Sequence, residues 1–420
     1  MGQMPSSIPP SGTSKVGLVL AGGAARGAYE VGVLDHIVEE VARDLGHDVP
    51  LDILCGTSVG AINASCLAAW ADEPRGRVAR LVGVWTGLRI SEMLRPAASG
   101  VVDLLRGFLG RGVPIEEARA LFDATPLSHL IKTTIPFERI DKHLRAGRLH
   151  AITCSATQIA TGRTVVFVQR RDAHAPMWES TATVLPRAVR LRLSHALASA
   201  AVPALFPAVL VDGRYYCDGG LRQNIPLSPA RRLGATGLIV INPKHHTVPG
   251  LEPQVERARE EAFPSPLFLL GKSLNALMLD RIDNEIDRLE KINDILEAGC
   301  RRYGPTFPNE LNKVMGYPSG RGLKRLSIVH ISASQNIGEM CAEYVRAPSF
   351  HVPGFLGRVM KRLAEAGPVA EADLLSYLLL DGEFAGRLIE LGRADARAHH
   401  DDLCRLFDGV RAPPRRAAMR

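Results

Sequence analysis

The chain has 420 residues, 46% apolar and 23% charged, with 51 Lys and Arg against 44 Asp and Glu and a net charge of +7. Those proportions fit a globular protein with a sizeable core and exclude a disordered or fibrous chain. No apolar run approaches eighteen residues, so no membrane-spanning helix is expected. The basic excess suits an anionic membrane surface or nucleic acid no better than it suits an arginine-rich composition. No nucleic-acid motif or aromatic stacking platform accompanies it, so no nucleic-acid partner is expected. The seven cysteines (Cys55, Cys66, Cys154, Cys217, Cys300, Cys341 and Cys404) are scattered, with no CxxC or metal-ligand spacing. They read as reduced thiols of a cytosolic protein, with no metal and no cofactor expected.

In chain order, residues 1–14 lack a hydrophobic signal core and read as a disordered tail. Lys15 to Leu20 (KVGLVL) is a short β-rich run ending in a glycine cluster, Gly22-Gly23-Ala24-Ala25-Arg26-Gly27. From Tyr29 the apolar residues Val33, Leu34, Ile37, Val38, Val41 and Leu45 follow helical spacing. Ile53-Leu54-Cys55 is a second strand, Gly56-Thr57-Ser58-Val59-Gly60 a G-x-S-x-G turn, and Ala61 to Trp70 a helix of small residues. This succession predicts an α/β fold with a parallel sheet. Arg75 to Met93 reads as helix. Residues 95–125 form a Gly- and Pro-punctuated insertion whose Gly100, Gly107, Gly110 and Gly112 suggest a mobile flap. Arg148 to Thr157 and Arg163 to Gln169 read as strands, and Ser194 to Ala201 as a small-residue helix. Val209 to Val211 and Arg214 to Cys217 are expected to form a hairpin across Asp212-Gly213, and Gly237 to Asn242 another buried strand.

Composition shifts after Pro243. Residues 266–298 carry apolar side chains at three- and four-residue steps and predict one long amphipathic helix packed on the α/β core. Arg325 to Ser332 is a last strand, followed from Gly338 by helices broken at Pro353, Gly367-Pro368 and Gly382. The expected organisation is an α/β core at 15–245, a mostly helical extension at 246–410 packed on it, and a basic flexible tail at 411–420.

Ser58 is the residue on which chemistry converges. A serine on a sharp strand-to-helix turn has its hydroxyl held above the sheet edge, beside the positive end of a helix. Gly56 and Gly60 leave room for the tight backbone. A serine hydroxyl needs a base and donors for the oxyanion that forms on attack. Among histidines, His195 opens a small-residue helix and His330 lies inside an apolar strand, both as packed imidazoles; His245-His246, after a strand end, is the best placed for a triad. The other candidate base is Asp218, at a strand end before Gly219 and Gly220, whose carboxyl would need burial to become an effective base. The glycine cluster at 22–27 lacks G-x-G-x-x-G spacing and a phosphate-loop lysine, so it reads as an anion-binding nest of backbone N–H groups rather than a nucleotide loop.

Together GGAARG at 22–27 with its flank AYEVGVL, GTSVG at 56–60, ASAAVPALFP at 198–207, DGG at 218–220 and N-I-P-L at 224–227 resemble the patatin-like phospholipases, over roughly residues 15 to 245. The order of the motifs and the spacing of about 160 residues between Ser58 and Asp218 make the likeness specific. The resemblance implies a three-layer α/β/α sandwich and a Ser–Asp dyad without histidine. Ser58 would be the nucleophile, Asp218 the base, and the loop of Gly22, Gly23, Ala24, Arg26 and Gly27 the oxyanion site. It further implies release of fatty acyl chains from phospholipids or related lipids, with peripheral membrane contact from the cytoplasmic side. Ala24 departs from the glycine common there, and the expectation is that this position does not require a positive φ. The competing functions are a non-catalytic lipid- or partner-binding member of the fold and an acyltransferase working through the same acyl-enzyme.

Overall fold

A computed structural model of the chain describes residues 14–95, 97, 120–172, 177–245, 282–317, 322–365 and 370–411. The strands are β1 (Val16–Leu20), β2 (Ile53–Thr57), β3 (Ala151–Gln158), β4 (Thr164–Arg170), β5 (Val184–Ala188), β6 (Val209–Val211), β7 (Arg214–Asp218), β8 (Gly237–His245) and β9 (Ser327–Ala333). They make one sheet in the order β5-β4-β3-β2-β1-β8-β9, with the β6–β7 hairpin joined to β3 through β7. The centre, β3-β2-β1-β8-β9, is parallel throughout. β4 and β7 both run antiparallel to β3.

The helices that pack around the sheet and the Ser58 turn include α1 (Gly27–His36), α2 (Val59–Ala69), α3 (Gly76–Thr86), α4 (Thr125–Thr134), α5 (Leu227–Arg232), α6 (Ile282–Tyr303), α7 (Ala370–Leu378) and α8 (Gly382–Ala398). Alternation along the central strands sends successive side chains to opposite faces. Leu18, Leu20 and Leu54 enter the larger core with α1, α2 and α8. Val19, Ile53 and Cys55 enter a second core against Leu227 and Ala230 of α5 and Ile286 of α6. The result is the expected α/β/α sandwich with a mainly parallel sheet and a helical C-terminal part.

Several element boundaries differ from the sequence reading. The helix expected over 75–93 is broken at Gly87, leaving α3 and a one-turn helix, Ile90–Met93. The β6–β7 hairpin turns at Asp212 and Gly213 with φ of 48° and 76°, the left-handed pair that a tight hairpin demands. β5 was not expected, because Val184–Ala188 is half-buried and contains Pro186; as an edge strand it tolerates a residue without an N–H. Of the long helix over 266–298, the described part is α6; residues 266–281, the 1–13 tail, most of the 95–125 insertion and residues 412–420 lie outside the described residues. Among the described residues no helix is long and apolar enough to cross a membrane.

α1 and α8 cross at unusually short range, because each offers a glycine at the contact. A Cβ on Gly32 would meet the Ile389 carbonyl oxygen at 2.0 Å, and one on Gly392 the Tyr29 oxygen at 2.2 Å. Tyr29 Oη donates to Asp395 Oδ2 (2.9 Å), which also accepts from Ser334 N (3.0 Å), so the crossing is pinned to the end of β9. Gly392→Ala should therefore lower the urea-unfolding free energy by about 2 kcal/mol through backbone overpacking. Gly386→Ala, on the same helix with open space around its Cβ, should be neutral or slightly stabilising.

Candidate active site

Ser58 occupies the junction of β2 and α2 with φ 55° and ψ −126°, a conformation a non-glycine residue adopts only when its surroundings force it. The forcing contacts are visible. The Ser58 N–H donates to Ser199 Oγ (2.8 Å), and that hydroxyl donates to the Ser155 carbonyl on β3 (2.6 Å). A Cβ on Gly60 would lie 2.6 Å from the carbonyl oxygens of Leu20 and Ala21, and one on Gly56 only 2.3 Å from the Gly60 oxygen, so the turn can close only with both glycines.

Asp218 ends β7, paired with Ala156 of β3, while Thr57 pairs with the preceding residue, Ser155, on the same edge of that strand, the other edge being taken by β4. β3 thus brings the two chain segments to one point, and Ser58 Oγ donates to Asp218 Oδ2 at 2.6 Å. Asp218 Oδ1 accepts from Gly220 N at 2.7 Å, and the Thr157 hydroxyl donates to the Asp218 carbonyl at 2.9 Å. Gly219 is required for contact: its Cβ would stand 2.2 Å from the Ser155 oxygen. The carboxyl is fully buried. Burial raises its pKa from the ordinary 3.8 to about 7, against the lowering effect of the hydrogen bonds from Ser58 and Gly220.

None of the described histidines is bonded to Ser58 or Asp218. Buried His195 accepts Arg192 N at Nδ1 (3.0 Å) and packs edge-on against Phe167, and burial drops its pKa to about 4. His245 contacts the Ala333 carbonyl at 3.0 Å through Nδ1. His246 lies outside the described residues.

The glycine loop corrects the sequence expectation in two respects. Ala24 has φ 47°, so the position does take the left-handed backbone that glycine favours, at a cost of about 1 kcal/mol for an L-residue. The loop residues are also not equivalent as donors. Gly22 N is bonded to both the carbonyl (3.2 Å) and Oδ1 (3.0 Å) of Asn224. Arg26 N donates to Gly23 O, and Gly27 N to the Ala24 and Ala25 carbonyls. The N–H groups of Gly22, Arg26 and Gly27 are therefore engaged within the loop and with Asn224. Gly23 and Ala24 have no backbone N–H bond among the described residues, and neither does Val59, whose N–H opens α2. The Arg26 side chain reaches α7, with Nε donating to Ser376 Oγ at 2.8 Å.

Beside Ser58 opens a cavity walled by Val59, Ile62 and Cys66 of α2, Leu81 and Trp85 of α3, and Leu130 of α4; Ala24 lines it as well. Its main polar side chain, Asn63, is internally satisfied. Asn63 Nδ2 donates to Gly27 O (3.2 Å) and Glu30 Oε2 (2.9 Å), and Trp85 Nε1 donates to Asn63 Oδ1 (3.2 Å). Burial pushes the Glu30 carboxyl well above its usual range, against the lowering effect of the bonds from Asn63 and the Ala21 backbone. Among the described residues no group of His, Cys, Asp and Glu has the makings of a metal site. Asn224 and Ser199 escaped the sequence reading. Asn224 opened the N-I-P-L run and Ser199 stood in the small-residue helix, but nothing local assigns a partner 202 or 141 residues away.

The patatin-like phospholipase family profile matches residues 18–231, just over half of the chain. The chain belongs to the patatin-like phospholipase family. Relatives include a patatin-like phospholipase domain-containing protein of Caenorhabditis elegans, 28% identical over 224 residues, which are 53% of this chain and 13% of that one. A cGAMP-activated phospholipase of Pseudomonas aeruginosa is 29% identical over 209 residues, 50% of this chain and 53% of that one. The lysophospholipase nte1 of Aspergillus terreus is 27% identical over 229 residues, 54% of this chain and 12% of its own length. The chain thus spans about half of the bacterial relative and about an eighth of the two eukaryotic ones. The structure of VipD from Legionella pneumophila aligns over 93% of this chain and 67% of its own with TM-score 0.34 and 14% identity.

The sign of the Asp218 shift fixes a stability prediction. A carboxyl whose folded pKa is about 7 against 3.8 when unfolded contributes most to stability at low pH. That contribution is lost as pH rises from about 4 to about 7. Asp218→Asn should therefore gain on the wild type in urea-unfolding free energy by about 2.5 kcal/mol on going from pH 5 to pH 8; parallel curves for the two proteins would contradict the shift.

Proposed function

We propose that this protein is a lipid acyl hydrolase of phospholipase A or lysophospholipase type, working through a Ser58–Asp218 dyad and an acyl-enzyme. The observation that carries the reading is the 2.6 Å hydrogen bond between a strained serine and a buried carboxyl, set on the wall of an apolar cavity. Family membership supplies the chemical class. The names of the relatives, a lysophospholipase and a cGAMP-activated phospholipase, agree with a lipid ester as substrate. Contact with a membrane surface follows from that substrate, and the cytoplasmic face is our expectation for it.

The steps follow from the geometry. Ionised Asp218 accepts the Ser58 proton as Oγ attacks the ester carbonyl carbon. Negative charge collects on the carbonyl oxygen, where the N–H groups of Gly23, Ala24 and Val59 are the available donors, Val59 at the positive end of α2. Collapse of the tetrahedral intermediate breaks the ester C–O bond, and the leaving alcohol takes the proton back from Asp218. Water then attacks the acyl-enzyme with Asp218 again as base, which frees the fatty acid and restores the Ser58 hydroxyl. The acyl chain lies in the cavity beside α2, where apolar burial is worth about 0.8 kcal/mol per methylene.

A panel of phospholipids, lysophospholipids and acylglycerols tests the reading with the wild type and two variants. Ser58→Ala and Asp218→Asn should each lower kcat/KM by about a thousandfold or more with the circular dichroism spectrum unchanged, and a fluorophosphonate probe should label Ser58. Wild-type kcat/KM should rise with pH to a plateau with its midpoint near 7, as Asp218 ionises. Full activity in Asp218→Asn would rule out the dyad. Cys66→Phe, which fills the cavity, should depress turnover of long-chain esters while sparing acetate esters.

A further inference from the structure

The family match ends at residue 231, yet residues well beyond it reach the loop that flanks Ser58. Arg26, on that loop, is 3% exposed. Its Nε donates to Ser376 Oγ at 2.8 Å, and its guanidinium carbon sits 4.3 Å from the centre of the Tyr377 ring. Ser376 and Tyr377 are both buried, near the end of α7. Two residues after α7, Leu380 lines the same cavity as Ser58 and Val59. Gly382 N donates to the carbonyl of Leu88 (2.8 Å), itself a cavity residue.

These contacts matter because of the backbone they hold. Ala24, two residues before Arg26, is in a left-handed conformation, which persists only where the surroundings over-determine it. One end of the loop is fixed by Asn224 through the two bonds to Gly22 N. The other end is fixed by Arg26, whose partners Ser376 and Tyr377 belong to α7. A planar, always-charged guanidinium stacked on an aromatic ring and bonded to a hydroxyl is held in one orientation.

We infer that Ser376 and Tyr377 are positioning residues for the reaction: through Arg26 they hold the Gly23–Ala24 segment in the orientation that receives the oxyanion. The C-terminal helices are then a working part of the active site. This inference rests on the acyl-hydrolase reading above. A contact that merely glued a helix to the core would stabilise the protein without touching turnover. A contact that aims donors acts on the transition state more than on the bound ester, so it moves kcat and leaves KM.

The test uses the full chain and a soluble p-nitrophenyl butyrate ester, with melting temperatures measured in parallel. Tyr377→Leu removes the stacked ring, Ser376→Ala removes the hydroxyl, and Tyr377→Phe keeps the ring. Tyr377→Leu and Ser376→Ala should each lower kcat by roughly ten- to a hundredfold with KM within twofold, and Tyr377→Phe should retain at least half of the wild-type kcat. Gly392→Ala, which loosens the same C-terminal region at a different contact, should lose melting temperature but keep kcat. The inference is overturned if Tyr377→Leu and Ser376→Ala turn over within twofold of wild type, or if kcat simply follows melting temperature across all four variants. Should Tyr377→Leu fail to fold, Ser376→Ala, a single hydroxyl deletion, decides alone. Wild-type activity that survives Ser58→Ala, or is absent on every ester, would instead bring down the acyl-hydrolase reading, and this inference with it.

Discussion

A hydrogen bond between two buried groups that lie 160 residues apart governs this structure. Burying a carboxyl is costly unless it is neutral or well bonded, and Asp218 is caught between those conditions. Two donors favour its ionised form while the lack of solvent favours the protonated one. The surrounding topology exists to make that compromise possible. β3 acts as the common edge, with β2 parallel along its first part, β7 antiparallel just beyond it on the same flank, and β4 on the other flank. Ser155 on β3 serves both β2 and β7. Its carbonyl takes the Ser199 hydroxyl that holds Ser58, and its oxygen tolerates only a glycine at 219.

Two left-handed residues face each other across the site, Ala24 and Ser58. Each lies in a region that an L-residue occupies at a cost of order 1–3 kcal/mol, and each is stitched to elements far away in sequence. Ser199 secures the serine; Asn224 and the Arg26 contacts secure the loop. Buried Glu30, bonded to Asn63, ties the helix that leaves the loop to the helix that leaves the serine. A site assembled from strained pieces needs such redundancy, since no one contact outweighs thermal opening. The loss of stability at higher pH that burial of Asp218 entails is the same compromise expressed in thermodynamics.

Much of this was legible in the chain because it is local chemistry. A G-x-S-x-G turn between an apolar run and a small-residue helix announces its own backbone, and an Asp-Gly pair between two apolar triplets announces a hairpin. The pairing of Ser58 with Asp218 came from motif order, since residue types alone left histidines in contention. What could not be read is whatever depends on distant registry. Nothing near Asn224 or Ser199 reveals which N–H each will accept. Alanine is a poor advertisement for a positive φ, so Ala24 was expected to be ordinary. β5 hid behind Pro186, a residue that only an edge position allows. Arg26 was counted with the oxyanion site because it stands in the loop, yet its long side chain goes where a buried hydroxyl and an aromatic face await it.

The glycine-to-glycine crossing of α1 and α8 bears on how the chain can be divided. The helix that springs from the glycine loop has its outer face against a helix more than 350 residues later, and the sheet itself gains β8 and β9 from beyond residue 231. Residues 18–231 are therefore a region of shared ancestry and not a self-sufficient folding unit. Severed from the C-terminal strands and helices, that segment would bare the apolar flank of α1 and leave β1 as an open edge, an invitation to self-association. In this protein the boundary drawn by evolution and the boundary drawn by cooperativity fall in different places.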